Sequence, residues 1–166
     1  MVRCGRCEIG GNVIGRLVWI VGLGSDHGDD RVGWEVAVRL QETAERDFKV
    51  TISADPLCIT ESPTGCDLLL VIDACRGAGS PGSIHRFEWP DPKFTAIPDV
   101  SSHGISLSMA LELAATLGRL PPSVVVLAIE GEAYEPGMGL SPSVEAKIPA
   151  LVECVLTEVL NPPQQS

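Results

Sequence analysis

The sequence predicts an α/β fold: a three-layer sandwich with a mostly parallel, twisted sheet of about five strands, one antiparallel edge strand, and helices on both faces. Three observations carry this. Short, continuous apolar runs at 17–21, 67–73 and 124–129 suit strands buried on both faces, as in a parallel sheet. Segments with helical apolar spacing separate them, giving the alternation of βαβ units. One segment, 83–89, alternates apolar and polar residues instead, which suits a half-exposed edge strand.

Each element follows in order. Residues 17–23 form the first strand and run into the turn Gly22-Leu23-Gly24-Ser25. Val32, Val36, Ala37 and Leu40, at i, i+4, i+5 and i+8, mark the buried face of a helix. Asp29 and Asp30 fall at its start, where the helix dipole favours acids. Glu35–Arg39 and Glu42–Arg46 are expected as solvent-facing i,i+4 pairs. A second strand covers 48–53, a third 67–73, and 90–102 reads as loop. A helix is expected from about 104 to 117, burying Leu107, Ala110, Leu111, Ala114 and Leu117, with Gly118 as its stop. A strand at 123–129 follows. The last helix opens at Ser141-Pro142 with Val144, Ile148, Leu151, Val155 and Val159 as its stripe. Pro149 removes an interior hydrogen bond, so a kink or a fresh start is expected there.

The chain has 166 residues, 45% hydrophobic and 20% charged, a length that suits one domain. Residues 1–15 read as a leader, 16–160 as a single α/β domain and 161–166 as a tail. The net charge of −10 argues against nucleic acid and against an anionic membrane as partner. No apolar run reaches the roughly 18 residues that span a bilayer, and no signal-peptide pattern is present, so a cytoplasmic address with reduced thiols is expected. The six cysteines form no disulfide ladder. Cys4 and Cys7 supply two of the four ligands a structural zinc needs, and Cys58 and Cys66 make no second pair.

Ligands of open parallel sheets bind outside the carboxyl ends of the strands. That rim collects Ser25, Asp26, His27, Asp29 and Asp30 after the first strand, and Asp73 and Arg76 after the third. Ser101-Ser102-His103-Gly104 comes just before a helix, and Glu130, Glu132 and Glu135 follow the strand at 123–129. Carboxylates with an imidazole suit a divalent first-row metal better than a phosphate. The G-x-G-x-x-x-G spacing of Gly22, Gly24 and Gly28, with Asp55 after the second strand, approaches a dinucleotide fingerprint, but Asp26, Asp29 and Asp30 would repel a pyrophosphate.

Four blocks in this order resemble the hydrogenase maturation proteases. The first is Val21-Gly22-Leu23-Gly24-Ser25 with Gly28-Asp29-Asp30-Arg31-Val32-Gly33. The second is Leu69-Leu70-Val71-Ile72-Asp73-Ala74 with Ser80-Pro81-Gly82-Ser83-Ile84. Ser101-Ser102-His103-Gly104-Ile105-Ser106-Leu107 is the third, and Leu120-Pro121-Pro122 through Ile129-Glu130 to Leu140-Ser141-Pro142 the fourth. The resemblance spans about residues 17–160. It implies an endopeptidase that trims the C-terminal extension of a nickel-loaded NiFe-hydrogenase large-subunit precursor. It further implies that Asp30, Asp73 and His103 grip nickel carried in by that substrate, with no organic cofactor. Asp29 and His27 are candidate accessory groups, and either of them or a water on the metal is a candidate general base. The sequence departs from the family in three places. Ser25 replaces the usual Asn, Asp30 stands where some members have Glu, and Ala54-Asp55-Pro56-Leu57-Cys58 replaces a D-G-G-T segment.

Plainer roles stand beside these. Ser101 and Ser102 read as a helix cap rather than a nucleophile, since G-x-S-x-G is absent. His27 reads as an exposed loop residue and His85 as structural. Glu130, Glu132 and Glu135 read as a solvated acidic loop. Two rivals to the endopeptidase remain: a non-catalytic, nickel-checking assembly factor for the same precursor, and a nucleotide-binding protein.

Overall fold

The computed structural model describes residues 15–43, 48–97, 104–161 and 163. Five strands form one sheet: β1 (Leu17–Leu23), β2 (Phe48–Ser53), β3 (Cys66–Cys75), β4 (Ile84–Glu88) and β5 (Ser123–Glu130), in the order β2-β1-β3-β5-β4. β1, β2, β3 and β5 run parallel, and β4 pairs antiparallel with β5 at one edge. This is the sheet the sequence predicts.

The helices are α1 (Val32–Gln41), α2 (Pro92–Thr95), α3 (Leu107–Thr116), α4 (Pro142–Glu145) and α5 (Ile148–Leu160). α1, α4 and α5 pack on the sheet face formed by Val18, Ile20, Leu70, Ile72 and Leu127. The opposite face, with Trp19, Val21, Leu69, Val71 and Val126, is covered by α3 and by the 3-10 segment Pro56–Glu61. β5 is buried along its whole length, as a central parallel strand covered on both faces must be. Gly33 lets α1 sit directly on the sheet. A Cβ there would lie 2.0 Å from the Leu23 carbonyl oxygen and 2.6 Å from that of Ile72.

Several local expectations are corrected. β3 runs two residues past Asp73, because β5 continues to pair with it through Cys75↔Glu130. α3 starts at Leu107 rather than near 104, because Ser106 accepts the Met109 N–H at 3.0 Å and caps it. Leu117, expected in the core, is 57% exposed, since the helix ends at Thr116 and Gly118 turns the chain away at φ +64°. The stretch 90–102 contains α2, whose Asp91 accepts the Lys93 N–H at 2.8 Å, with Pro92 in the first turn. Glu35 pairs with Arg31 at 2.9 Å rather than with Arg39. Arg46, Cys4 and Cys7 lie outside the described residues. Pro149 stands in the first turn of α5, so of the two expected outcomes the chain takes the fresh start. No described helix is long and apolar enough to cross a membrane.

Candidate active site

The sheet order places a switch between β1 and β3. The chain leaves β1 toward β2 on one side and returns to β3 on the other, and crevices form at such points. The strand ends shape this one. β1 pairs with β3 only as far as Gly22↔Ile72, whereas β3 and β5 stay paired at Asp73↔Ala128. Asp73 therefore stands one residue beyond the β1 pairing, on the sheet face that carries Val71 and α3.

A cavity of about 420 Å³ opens there. Asp30, Asp55 and Asp73 line it, with Gly104 at its edge and Phe94 and Ile97 among its apolar walls. No Lys or Arg lines it among the described residues. Asp30 comes from the 3-10 turn Gly28–Arg31 after β1, Asp55 from the turn after β2, and Asp73 from β3. The backbone fixes Asp30 closely: a Cβ on Gly24 would lie 1.9 Å from the Asp30 carbonyl oxygen, so only glycine fits that turn. Asp55 is partly committed, accepting the Leu57 N–H at 2.9 Å. Asp73 accepts the Ala74 N–H at 2.9 Å.

Of the three residues the resemblance implies for nickel, Asp30 and Asp73 line the same cavity. His103 lies outside the described residues, as do Ser101 and Ser102, although its neighbour Gly104 lines that cavity. Among the described residues, no three His, Cys, Asp or Glu side chains form a group that holds a metal.

Asp29 is placed differently from its neighbour. Its side chain is fully buried and faces the loop after β5. It accepts the N–H groups of Glu132 at 2.8 Å, Ala133 at 3.0 Å and Ser141 at 2.7 Å. Burial alone would raise its pKa, but the hydrogen bonds from Ala133, Glu132 and Ser141 outweigh it and hold the carboxyl below its ordinary value. His27 is exposed, 3.1 Å from the Ser25 hydroxyl and 3.5 Å from Asp26. Neither Asp29 nor His27 lines the cavity.

Glu130 corrects the expectation of a solvated loop. It ends β5 in a buried position and accepts the N–H groups of Gly77 at 2.7 Å and Ala78 at 2.8 Å. Glu132 and Glu135 are exposed. The Cys75 thiol, at the cavity wall, is pushed up to about 12 by burial and by the Glu130 carboxylate it faces at 3.6 Å. A thiol held so far from ionisation is a poor nucleophile.

The glycine pattern also finds its use. A Cβ on Gly22 would meet the Gly33 carbonyl oxygen at 2.2 Å, and one on Gly24 would meet that of Asp30. These glycines let the turn after β1 pack directly against α1 and the 3-10 turn, so close packing alone accounts for them. Sequence reasoning missed the apolar wall. Asp91-Pro92, a cap followed by Pro at the first helical position, was its available signal. The turn it starts brings Phe94 within 5.5 Å of Phe87 and 6.0 Å of Trp89.

A mostly parallel sheet with an acidic crevice at its switch point defines a small α/β domain with its candidate site at the carboxyl ends of the strands. The sequence model of the family described as HycI, hydrogenase maturation protease, matches residues 51–158. The chain belongs to the hydrogenase maturation proteases and is a maturation endopeptidase. Asp73 falls inside the matched region, and Asp30 precedes it. Solved structures share the fold. The hydrogenase maturating endopeptidase HybD from E. coli superposes with a TM-score of 0.71 at 22% identity, covering 87% of this chain and 92% of that one. An endopeptidase from Escherichia coli gives 0.73 at 22%, covering 86% and 91%. The [NiFe] hydrogenase maturation protease HybD from Thermococcus kodakarensis gives 0.69 at 22%, covering 87% and 99%. No curated protein matches the chain.

Proposed function

We propose that this endopeptidase removes the C-terminal extension of a nickel-loaded NiFe-hydrogenase large-subunit precursor, and that the nickel already in the precursor is what it recognises. One observation carries the reading: Asp30, from the turn after β1, and Asp73, from β3, line one cavity at the carboxyl end of the sheet. Carboxylates that face one cavity from different elements offer oxygen donors to an incoming divalent cation. His103, one residue before the cavity-lining Gly104, supplies the third ligand in this reading. An oxygen- and nitrogen-donor set of this kind suits Ni²⁺ better than a soft-metal site would.

The metal belongs to the substrate, so docking it also positions the peptide to be cut. The cation polarises the scissile carbonyl and water adds to it. The C–N bond then breaks, leaving a new carboxyl terminus on the large subunit and a free amine on the released extension. Asp29 is not assigned the base, because its carboxylate already accepts three amides.

The test is incubation of the purified protein with nickel-loaded and nickel-free precursor, read by mass spectrometry of the large subunit. A mass loss equal to the C-terminal extension, only with nickel, is expected. A stable complex with no cleavage would instead identify a nickel-checking assembly factor.

A further inference from the structure

α3 has two apolar faces. The inner one, Leu107, Ala110, Leu111 and Ala114, is buried against the sheet. The outer one carries Met109 at 56% exposure and Leu113 at 41%, and it continues past the helix end to Leu117. Ile105, four residues before Met109, is 37% exposed and also lines the cavity, as does Ser108. Met109, Leu113 and Leu117 recur every fourth residue and form one stripe along the helix and its C-terminal end, next to Ser108 at the cavity wall. Within α3, Glu112 is the single charged residue. By contrast, α1 turns charge to water through Glu35 and Arg39, and the whole chain carries a net charge of −10. A helix that is apolar on both faces is normally covered on both.

We propose that this outer stripe of α3 is the surface on which the folded precursor seats, through an apolar patch of the precursor next to the segment that enters the cavity. The inference rests on the proposed substrate. A cavity of about 420 Å³ is the size of a small-ligand pocket and takes only a short stretch of peptide. Selecting one folded protein needs contact beyond it. Continuity decides the occupant: Ser108, next to Met109 on α3, and the exposed Ile105 just before the helix both line the cavity, so whatever lies on the stripe lies beside the bound peptide. A second copy of this chain seated there would crowd the cavity mouth that the precursor needs.

The test uses the full-length chain and the nickel-loaded large-subunit precursors encoded in the same genome. The double variant Met109→Glu/Leu113→Glu puts two charges on the stripe, and Met109→Ser/Leu113→Ser removes its apolar character without charge. Val38→Glu, an exposed apolar position on α1, serves as control. Both stripe variants should keep the melting temperature, since the positions are exposed. Each should raise KM for precursor about tenfold or more with kcat largely kept, while Val38→Glu changes neither. A photo-crosslinker at position 113 should join the precursor. If wild type cleaves precursor and folded stripe variants cleave it equally well, the inference falls and the proposed function stands. If wild type cleaves none of the precursors, both fall. A crosslink to residues 1–14, or to a second copy in a wild-type dimer that the stripe variants dissociate, also overturns it.

Discussion

The carboxylate of Asp29 accepts the backbone N–H of Ser141 at 2.7 Å, across 112 residues of chain. With the amides of Glu132 and Ala133 on its other oxygen, it ties the turn after β1 to the loop after β5. Asp30, the next residue, faces the cavity. Two adjacent acids thus divide the work: one fixes the backbone, and the other is left for chemistry.

Replacing Asp29 tests that division. Asp29→Ala leaves three amides without their acceptor, and the expected loss is about 3 kcal/mol, readable by urea unfolding. The pH dependence follows from the direction of the shift. The folded pKa lies below the ordinary 3.8, so the stabilisation is fully present above about pH 4 and is lost as pH falls through the folded value. Wild type should lose stability in that acid window more steeply than Asp29→Ala. Glu130, also held below its ordinary value of 4.5 because its amide bonds outweigh burial, keeps part of the slope in both. Equal slopes would contradict the assignment.

Gly33→Ala should be more damaging than its single methyl suggests. The new Cβ would meet the carbonyls of Leu23 and Ile72, which are backbone atoms of two central strands and cannot swing aside. An overpacking cost of about 3 kcal/mol is expected. The pushed residues directly precede Gly24 and Asp73, so processing of precursor should fall further than the melting temperature alone accounts for. A variant as stable and as active as wild type would show that α1 has room to shift.

Cys75 provides a negative test of thiol chemistry at the cavity. Its thiol is pushed up to about 12, by burial first and by Glu130 second. The folded protein should resist iodoacetamide at Cys75 near pH 8 and react there only after unfolding. Cys75→Ser keeps a donor toward Glu130, so the loss of processing should stay below about tenfold, or about 1.4 kcal/mol. Rapid native labelling with parallel loss of activity would reverse this reading.

The sheet was legible because its central strands are buried on both faces, which writes near-continuous apolar runs at 17–23, 67–73 and 123–129. What escaped was set by partners distant in sequence. Nothing in the local pattern of Glu130 distinguishes it from Glu132, yet the amides of Gly77 and Ala78 bury one, and the other stays in water. Asp29 and Asp30 look alike as acids at a helix start, and only the loop at 131–141 separates their roles. Leu117 fits the helical period, but Ser106 and Gly118 set the ends of α3 and leave it outside. Of the candidate metal ligands, the order of strands brings Asp30 and Asp73 to one crevice, an arrangement that sequence expresses only through βαβ alternation.

The proposed chemistry is tested most directly at those ligands. Asp30→Asn and Asp73→Asn keep size and hydrogen-bonding capacity while removing charge, and His103→Ala removes the imidazole. Each should lower processing of nickel-loaded precursor at least about a hundredfold, the scale of losing a group that acts on charge at a reacting centre. Stability should change little in the two carboxylate variants, within about 0.5 kcal/mol. Asp30 shares the cavity with two other aspartates, and removing one of several like charges relieves repulsion rather than adding it. The Asn side chain at position 73 also keeps an oxygen for the Ala74 N–H. Ser102→Ala, in the same block as His103, should retain substantial processing if no hydroxyl nucleophile operates. Cleavage read beside the melting temperature of each variant separates loss of chemistry from loss of fold. A folded Ser102→Ala that is inactive, set beside a folded Asp30→Asn that still cuts, would replace metal recognition with a serine nucleophile.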